Sequence, residues 1–196
     1  MQASGKNLYA AFKVYKKGAY VNTAKDDPSQ IFLTGDAVEL RFRAEPAADP
    51  KDKKLVMGDC RLLIGKVDGK PTAVLYRALV PNAKNPVIFR NPAGKEIVFD
   101  SVDVLKDAVV NITDTTDGYL VEASLPTDFL GGNLWANRII PGDAGIIVAD
   151  STGRRVARIC RFNQDTQVVS DVPTEAALQP ERWGAFKIEA EKPAGK

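Results

Sequence analysis

Apolar and polar residues alternate with a period of two along much of the chain, which predicts β-strands rather than helices. The clearest example is Asp36–Arg43. Within it, Val38, Leu40 and Phe42 point to one side and charged residues point to the other. We therefore expect a strand with one buried and one solvent-facing side. Similar apolar faces occur at Leu8 to Val14, Cys60 to Ile64 and Tyr119 to Leu125.

Turn-forming residues separate these runs and predict hairpins. Asp68-Gly69, Asp114 to Gly118 and Asp150 to Gly153 each stand between two apolar segments. Asp and Gly in such positions favour the tight turns that connect antiparallel strands. We expect three hairpins at these positions.

Helical periodicity of 3.6 residues is nearly absent, and only Thr127 to Leu130 and Thr174 to Leu178 suggest short helical turns. The pattern predicts an all-β protein, an antiparallel two-sheet β-sandwich of jelly-roll type with only short helical turns. We assign one domain to residues 6–190 and expect a disordered tail over 191–196. The predicted core residues are Val38, Leu40, Phe42, Leu62, Ile64, Val121, Ile146 and Ile147.

Composition excludes several classes of function. The chain has 196 residues and no His, which removes Ser-His-Asp triads, Cys-His dyads and His-containing zinc or haem sites. The formal net charge is +2, so no strong field favours nucleic acid or an anionic membrane. No apolar run approaches the roughly 20 residues of a membrane helix. We expect neither an enzyme nor a nucleic-acid or membrane partner.

The two cysteines, Cys60 and Cys160, each lie in an apolar strand. Their spacing matches neither a zinc motif nor a redox pair. Two interpretations stay open: a pair of buried free thiols, or one long-range disulfide, which requires neighbouring strands and an oxidising compartment.

Acidic residues give one candidate metal site. Asp26 and Asp27 lie in a loop shortly before Asp36, and loops of β-sandwiches commonly bind Ca²⁺ through carboxylate and carbonyl oxygens. The spacing does not match the calcium-loop motif. A structural Ca²⁺ at these three residues is our only cofactor expectation.

Aromatic residues in loop-like segments give a candidate sugar site, because a flat ring packs on the apolar face of a pyranose. Tyr20 and Trp135 lie in such segments, and each has an Asn two residues away, Asn22 and Asn137. The alternative is that Trp135 covers one end of the core. Trp183, at the start of the last strand, is predicted to anchor the core.

Several segments, in order, resemble the family-9 carbohydrate-binding modules and the wider superfamily that includes DOMON-like haem-binding domains. The segments that carry the resemblance are 7–14 (NLYAAFKV), 34–40 (TGDAVEL), 119–126 (YLVEASLP) with 129–131 (FLG), 142–146 (GDAGI) and 183–186 (WGAF). An N-terminal segment of the family pattern has no counterpart here, and Pro126-Thr127 replaces the family's usual Pro-Trp. Haem-binding relatives use Met with His or Lys as ligands, and this chain has only Met57 besides Met1.

The resemblance implies a non-catalytic module that binds a polysaccharide or oligosaccharide and neighbours other domains of a larger secreted, periplasmic or cell-surface protein. The alternative is a structural spacer domain of a multidomain extracellular enzyme, with no ligand of its own. An exposed aromatic platform distinguishes the two, because a spacer has no reason to expose Tyr20 or Trp135. A haem-binding role is the weaker alternative.

Overall fold

The structure is a computed structural model that describes residues 1–45, 48–130, 137–164, 169 and 171–190. Its strands form two main sheets and one separate hairpin. The five-stranded sheet contains, in spatial order, β14 (Glu189–Ala190), β1 (Gln2–Ser4), β2 (Asn7–Tyr15), β10 (Gly118–Pro126) and β9 (Val109–Thr115). Its pairs are antiparallel except β1 with β14.

The seven-stranded sheet is antiparallel throughout. Its order is β12 (Arg155–Cys160), β11 (Ile139–Ala149), β3 (Ala37–Arg43), β4 (Asp59–Val67), β5 (Lys70–Arg77) and β8 (Ser101–Val104), and β13 (Gly184–Lys187) also pairs with β11. All three predicted hairpins are confirmed, at β4 to β5, β9 to β10 and β11 to β12.

The two sheets pack face to face over the main hydrophobic core. Leu8 and Val121 contribute from the five-stranded sheet, and Leu40 and Leu62 contribute from the seven-stranded sheet. The predicted sandwich is confirmed, and every predicted core residue is buried or packed against a core. Burying an aliphatic side chain of this size stabilises the fold by about 1.5 to 3 kcal/mol.

A second hydrophobic core covers the outer side of the seven-stranded sheet. Three short elements supply its cover: a 3₁₀ turn at Pro28–Gln30, the hairpin of β6 (Val87–Arg90) with β7 (Glu96–Phe99), and helix α1 (Val172–Ala176). Trp183 belongs to this core and is only 2% exposed, as predicted, with its indole N–H donating to the carbonyl of Leu178 at 2.9 Å. β3 is therefore buried on both sides over its whole length.

Two sequence expectations need correction. The charged side of β3 was predicted to face solvent, but Glu39, Arg41 and Arg43 are each at most 1% exposed. The second core and α1 cover Glu39 and Arg41, whereas Arg43 is enclosed by the segment after β3, where the carbonyls of Asp49, Asp52 and Lys54 accept its hydrogen bonds. The sandwich also begins before residue 6, since Gln2–Ser4 pairs with both β2 and β14. The helical turn predicted at Thr127–Leu130 is confirmed as a 3₁₀ turn. The one predicted at Thr174 to Leu178 exists but lies two residues earlier, as α1 at Val172–Ala176. The predicted tail, 191–196, lies outside the described residues.

Candidate functional site

Tyr20 is a core residue, so the prediction that it offers an exposed stacking surface is wrong. Only 8% of it is exposed, and its ring meets Tyr119 edge to face with the centroids 5.0 Å apart. Its hydroxyl donates to the carbonyl of Asp36 at 2.7 Å and accepts the N–H of Lys66 at 2.9 Å. Gly65 provides the room, because a Cβ there would lie 2.8 Å from the hydroxyl oxygen. Tyr20 therefore fixes the segment before β3 onto β4.

Asn22 supports the same segment rather than a ligand. Its amide nitrogen donates to the carbonyls of Ile31 and Asp36, both at 2.9 Å. Its side-chain oxygen accepts the N–H of Ala24 at 2.9 Å and the hydroxyl of Thr34 at 2.8 Å. Both ends of the amide are thus engaged, and the structure does not support Asn22 as a hydrogen-bond partner for sugar.

The three predicted calcium ligands do not converge. Asp26 is exposed, and Asp27 caps the 3₁₀ turn by accepting the N–H of Ser29 at 2.9 Å. Asp36 is fully buried, with Lys16 Nζ at 2.6 Å on one oxygen and the N–H of Ala149 at 2.8 Å on the other. Across the described residues, no three acidic or Cys side chains group closely enough to hold a metal ion. The structure therefore does not bring these three residues together, and a calcium site there stays a prediction.

Asn137 is exposed and begins the approach to β11 in a left-handed backbone conformation, with φ of 62°. Its backbone N–H donates to the carbonyl of Ile188 at 2.8 Å. Trp135, the predicted stacking partner, lies outside the described residues. Asn137 leads into the start of β11, which the strand register places beside the end of β3, whereas Tyr20 and Asn22 belong to the loop before β3. The structure therefore separates Asn137 from the other two predicted residues.

A groove of about 650 Å³ lies beside Asn137, where the loop after β3 faces the start of β11. Its apolar wall includes Ile139, which is 74% exposed, and Pro141. Its charged lining residues are Arg43, Lys51 and Arg138, together with one acidic residue, Glu45. Among its described lining residues the one aromatic side chain is Trp183, which is too deeply buried to offer a ring face. We call this the end groove.

A second groove, of about 660 Å³, crosses the open side of the five-stranded sheet. Alternation along β2 buries Leu8 and Ala10 and turns Tyr9 outward, where it is 43% exposed. The strand register places Gln2 and Ser124 on either side of Tyr9. Ala11, the next outward residue on β2, lies opposite Glu122, which in turn lies opposite Asn111. Because the Ala11 side chain is small, the surface dips beside Tyr9. We call this the sheet-face groove.

The polar side chains of the sheet-face groove are available to a ligand. Gln2, Asn111 and Glu122 are exposed, and Ser124 is half-buried. Within the part of the chain that the structure describes, none of their side chains forms a hydrogen bond or an ion pair. Together they offer amide donors, amide and carboxylate acceptors and a hydroxyl beside one exposed phenol ring.

Tyr15 is the other exposed aromatic residue on this side of β2, at 69%. The Lys13 ammonium lies 4.8 Å from the centre of its ring and 3.3 Å from the carboxylate of Asp117. The hydrogen bond with Asp117 raises the pKa of Lys13 above its ordinary value. Tyr15 lies outside the groove, and a cation already lies against its ring.

Glu39 and Arg41 of β3, which were predicted to face solvent, form a buried cluster with Arg61 and Arg158 instead, while Arg43 pairs with Asp59. The Glu39 carboxylate accepts from Arg41 Nη2 at 3.2 Å, Arg61 Nε at 2.6 Å and Arg158 Nη2 at 3.0 Å. Burial alone would raise the pKa of Glu39, but the charges of Arg41 and Arg61 and the hydrogen bond from Arg61 outweigh it and lower the pKa. Gly145 leaves the space, since a Cβ there would lie 2.7 Å from Glu39 Oε1.

Both cysteines are free and buried, which confirms the first of the two interpretations. Burial raises the pKa of the Cys60 thiol to about 12. The Cys160 thiol lies 3.5 Å from the Glu39 carboxylate, inside the charged cluster rather than in a wholly apolar setting. Neither thiol is placed for nucleophilic chemistry at either groove.

The fold belongs to the class of two-sheet β-sandwiches. The outer side of the seven-stranded sheet is covered by a second core, and the outer side of the five-stranded sheet is open to solvent. Among solved structures, the chain is similar to a family-9 carbohydrate-binding module from Caldicellulosiruptor kristjanssonii in complex with glucose. The identity is 17%, the TM-score is 0.48, and the match covers 96% of this chain and 74% of the other. No known protein family's sequence profile matches the chain, and no curated protein matches it. None of the described helices has the length and apolar character needed to cross a membrane.

Proposed function

We propose that this protein is a non-catalytic carbohydrate-binding module and that it binds sugar in the sheet-face groove. One observation carries the proposal: Tyr9 presents an exposed ring in a groove whose polar side chains have no partner within the described structure. Pyranose rings combine apolar C–H faces with a rim of hydroxyls, so they need both features side by side. The sequence resemblance to family-9 modules supports the same function.

The groove's geometry favours binding over hydrolysis. Glu122 and Glu189 are the two carboxylates among its described lining residues, and their strands, β10 and β14, are three positions apart in the sheet. Glycosidases place two carboxyl groups on either side of one glycosidic bond. The residues directly opposite Glu122 on the neighbouring strands are Ala11 and Asn111, and neither carries a carboxylate. This arrangement supports a binding role.

Binding titrations of cello-, xylo-, manno- and galacto-oligosaccharides test the proposal. We expect saturable heat for at least one sugar with the native protein. A Tyr9→Ala variant is expected to bind about two- to tenfold more weakly, which corresponds to the roughly 0.5 to 1.5 kcal/mol of an aromatic contact. Because Tyr9 is half-exposed, the melting temperature of the Tyr9→Ala protein should differ little from that of the native protein.

Tyr15→Ala is the matched control. It removes an aromatic side chain from the same side of the same strand but outside the groove. Equal affinity losses for the two variants would contradict the assignment of the groove. Unchanged affinity in Tyr9→Ala would remove Tyr9 from the site and direct attention to the end groove beside Asn137.

The burial of Tyr20 favours a second candidate, the structural spacer domain. Without a ligand, the module would serve only to hold neighbouring domains of a larger extracellular protein in place. The spacer interpretation predicts no heat with any of the four sugar series at millimolar concentration. In either case we propose a secreted, periplasmic or cell-surface location, where polysaccharides and the enzymes that act on them are found.

A further inference from the structure

The sheet-face groove crosses the whole five-stranded sheet. Its described lining residues come from every one of the strands β14, β1, β2, β10 and β9. Five of them form a single row across the strands, because each lies directly opposite the next in the strand register. In spatial order the row is Glu189, Gln2, Tyr9, Ser124 and Val109. The long direction of the groove is therefore perpendicular to the strands.

The groove is long and narrow. Neighbouring strands are about 4.8 Å apart, so the row from β14 to β9 is about 19 Å long. Along any one strand the lining residues cover at most three positions, such as Tyr9 to Ala11 on β2, which is about 7 Å. In an extended polysaccharide, each pyranose unit advances the chain by a distance close to one strand spacing. The groove therefore has room for about four linked units and for the width of a single chain.

Groups that can contact sugar are distributed along the groove rather than gathered around Tyr9. Tyr9 is the middle residue of the row, and its neighbours Gln2 and Ser124 are close enough to bind a single sugar stacked on its ring. Glu189 and Asn111 are exposed on the two outermost strands, β14 and β9. Each of these strands is about 10 Å from β2. A single sugar on Tyr9 cannot contact both of them, whereas a chain that fills the groove can.

Both ends of the groove are at edges of the sheet. β14 and β9 are the terminal strands, and no strand among the described residues lies beyond either of them. At the β9 end, Val109 is 70% exposed and places an apolar surface in line with the Tyr9 ring. A site for a free sugar or a chain end would be closed on at least one side. The sheet-face groove has no such wall within the described strands.

We propose that the sheet-face groove binds an internal stretch of about four units of an extended polysaccharide chain, which lies across the five strands. This inference rests on the proposed function, because it takes the groove to be the sugar site. The row of opposed side chains sets the direction of the chain, and the width of the sheet sets the number of units bound. The edges of the sheet let the chain continue in both directions.

The dependence of affinity on chain length tests the inference. In the sugar series that gives the largest heat, every oligosaccharide from the disaccharide to the hexasaccharide is titrated into the native protein. Each added unit that reaches a further polar side chain should strengthen binding by about two- to tenfold, until the groove is filled at about four units. The hexasaccharide should then bind with nearly the affinity of the tetrasaccharide. Reduction of its terminal sugar to the open-chain alditol should leave its affinity unchanged.

Variants at the two ends of the groove distinguish a long site from a short one. Glu189→Ala and Asn111→Ala should each weaken binding of the tetrasaccharide by about two- to tenfold. At most one of the two should weaken binding of the disaccharide, which cannot reach both ends. Thr113→Ala is the matched control, because Thr113 is exposed on the same side of β9 as Asn111 but does not line the groove. It should leave both affinities unchanged.

Three results would overturn the extended chain while leaving a sugar site in place. They are equal affinities for the disaccharide and the hexasaccharide, loss of binding on reduction of the terminal sugar, and native tetrasaccharide affinity in both end variants. Absence of heat at every chain length would instead overturn the proposed function, and this inference with it.

Discussion

Replacing Glu39 with Gln removes the central charge of the buried cluster while nearly preserving the shape of the side chain. The carboxylate accepts hydrogen bonds from three arginines, all at most 1% exposed. A neutral amide would leave these guanidinium groups without their shared counter-charge, and its own N–H groups would face other donors.

The expected loss is large. Removing one partner of a buried ion pair costs about 3 to 5 kcal/mol, and at 1% exposure solvent does not screen the interaction. Since a domain is stable by only about 5 to 15 kcal/mol, Glu39→Gln should remove a substantial part of the free energy of unfolding. For a chain of this length, the melting temperature should fall by about 6 to 20 °C.

Urea unfolding followed by tryptophan fluorescence measures the difference, because Trp183 is buried in the second core and becomes exposed on unfolding. Glu122→Gln is the matched control, since it makes the same chemical change on the exposed sheet face and should alter stability by no more than about 0.5 kcal/mol. A Glu39→Gln protein destabilised by less than about 1 kcal/mol would refute the account of the cluster.

Three further predictions follow from the buried residues. The pKa of Glu39 is lowered on folding. The stabilisation from its carboxylate should therefore be complete above the ordinary Glu pKa near 4.3 and be lost as pH falls through the lower folded value. The free energy of unfolding should accordingly fall less steeply with decreasing pH in Glu39→Gln than in the native protein. Tyr20→Phe should lower the free energy of unfolding by about 1 to 3 kcal/mol, since it leaves the N–H of Lys66 without its acceptor, and sugar titrations of this variant should match the native protein. Cys60 and Cys160 should react with a thiol reagent only on unfolding, and fast labelling of the native protein would contradict their burial.

The inward side of each main strand was predictable because alternation alone determines it. Val38 and Leu40 pack into the main core as the period-two pattern predicts. The opposite side of β3 was not predictable in the same way. Glu39 and Arg41 are buried by the second core and α1. The cover of this core combines a turn before β3, the β6–β7 hairpin and α1, which lies more than 100 residues later, and no local pattern encodes that cover.

The site was harder to predict from sequence than the fold. Tyr20 has the Gly, Ala and Asn neighbours typical of a surface loop, yet the absence of a side chain at Gly65 lets its hydroxyl reach β4. The outward position of Tyr9 was implicit in the alternation of β2. Its groove, however, depends on the registers of β1, β10 and β9, and Gln2 belongs to a strand that the sequence pattern did not indicate.

Amide chemical-shift mapping during a sugar titration tests the proposed function most directly, because it reports both binding and location. With ¹⁵N-labelled native protein and the oligosaccharide that gives the largest heat, we expect shifts concentrated at Tyr9, Asn111 and Glu122 on the open sheet. Shifts concentrated instead at Asn137 to Ile140 beside the end groove, or no shifts at millimolar sugar, would contradict binding in the sheet-face groove.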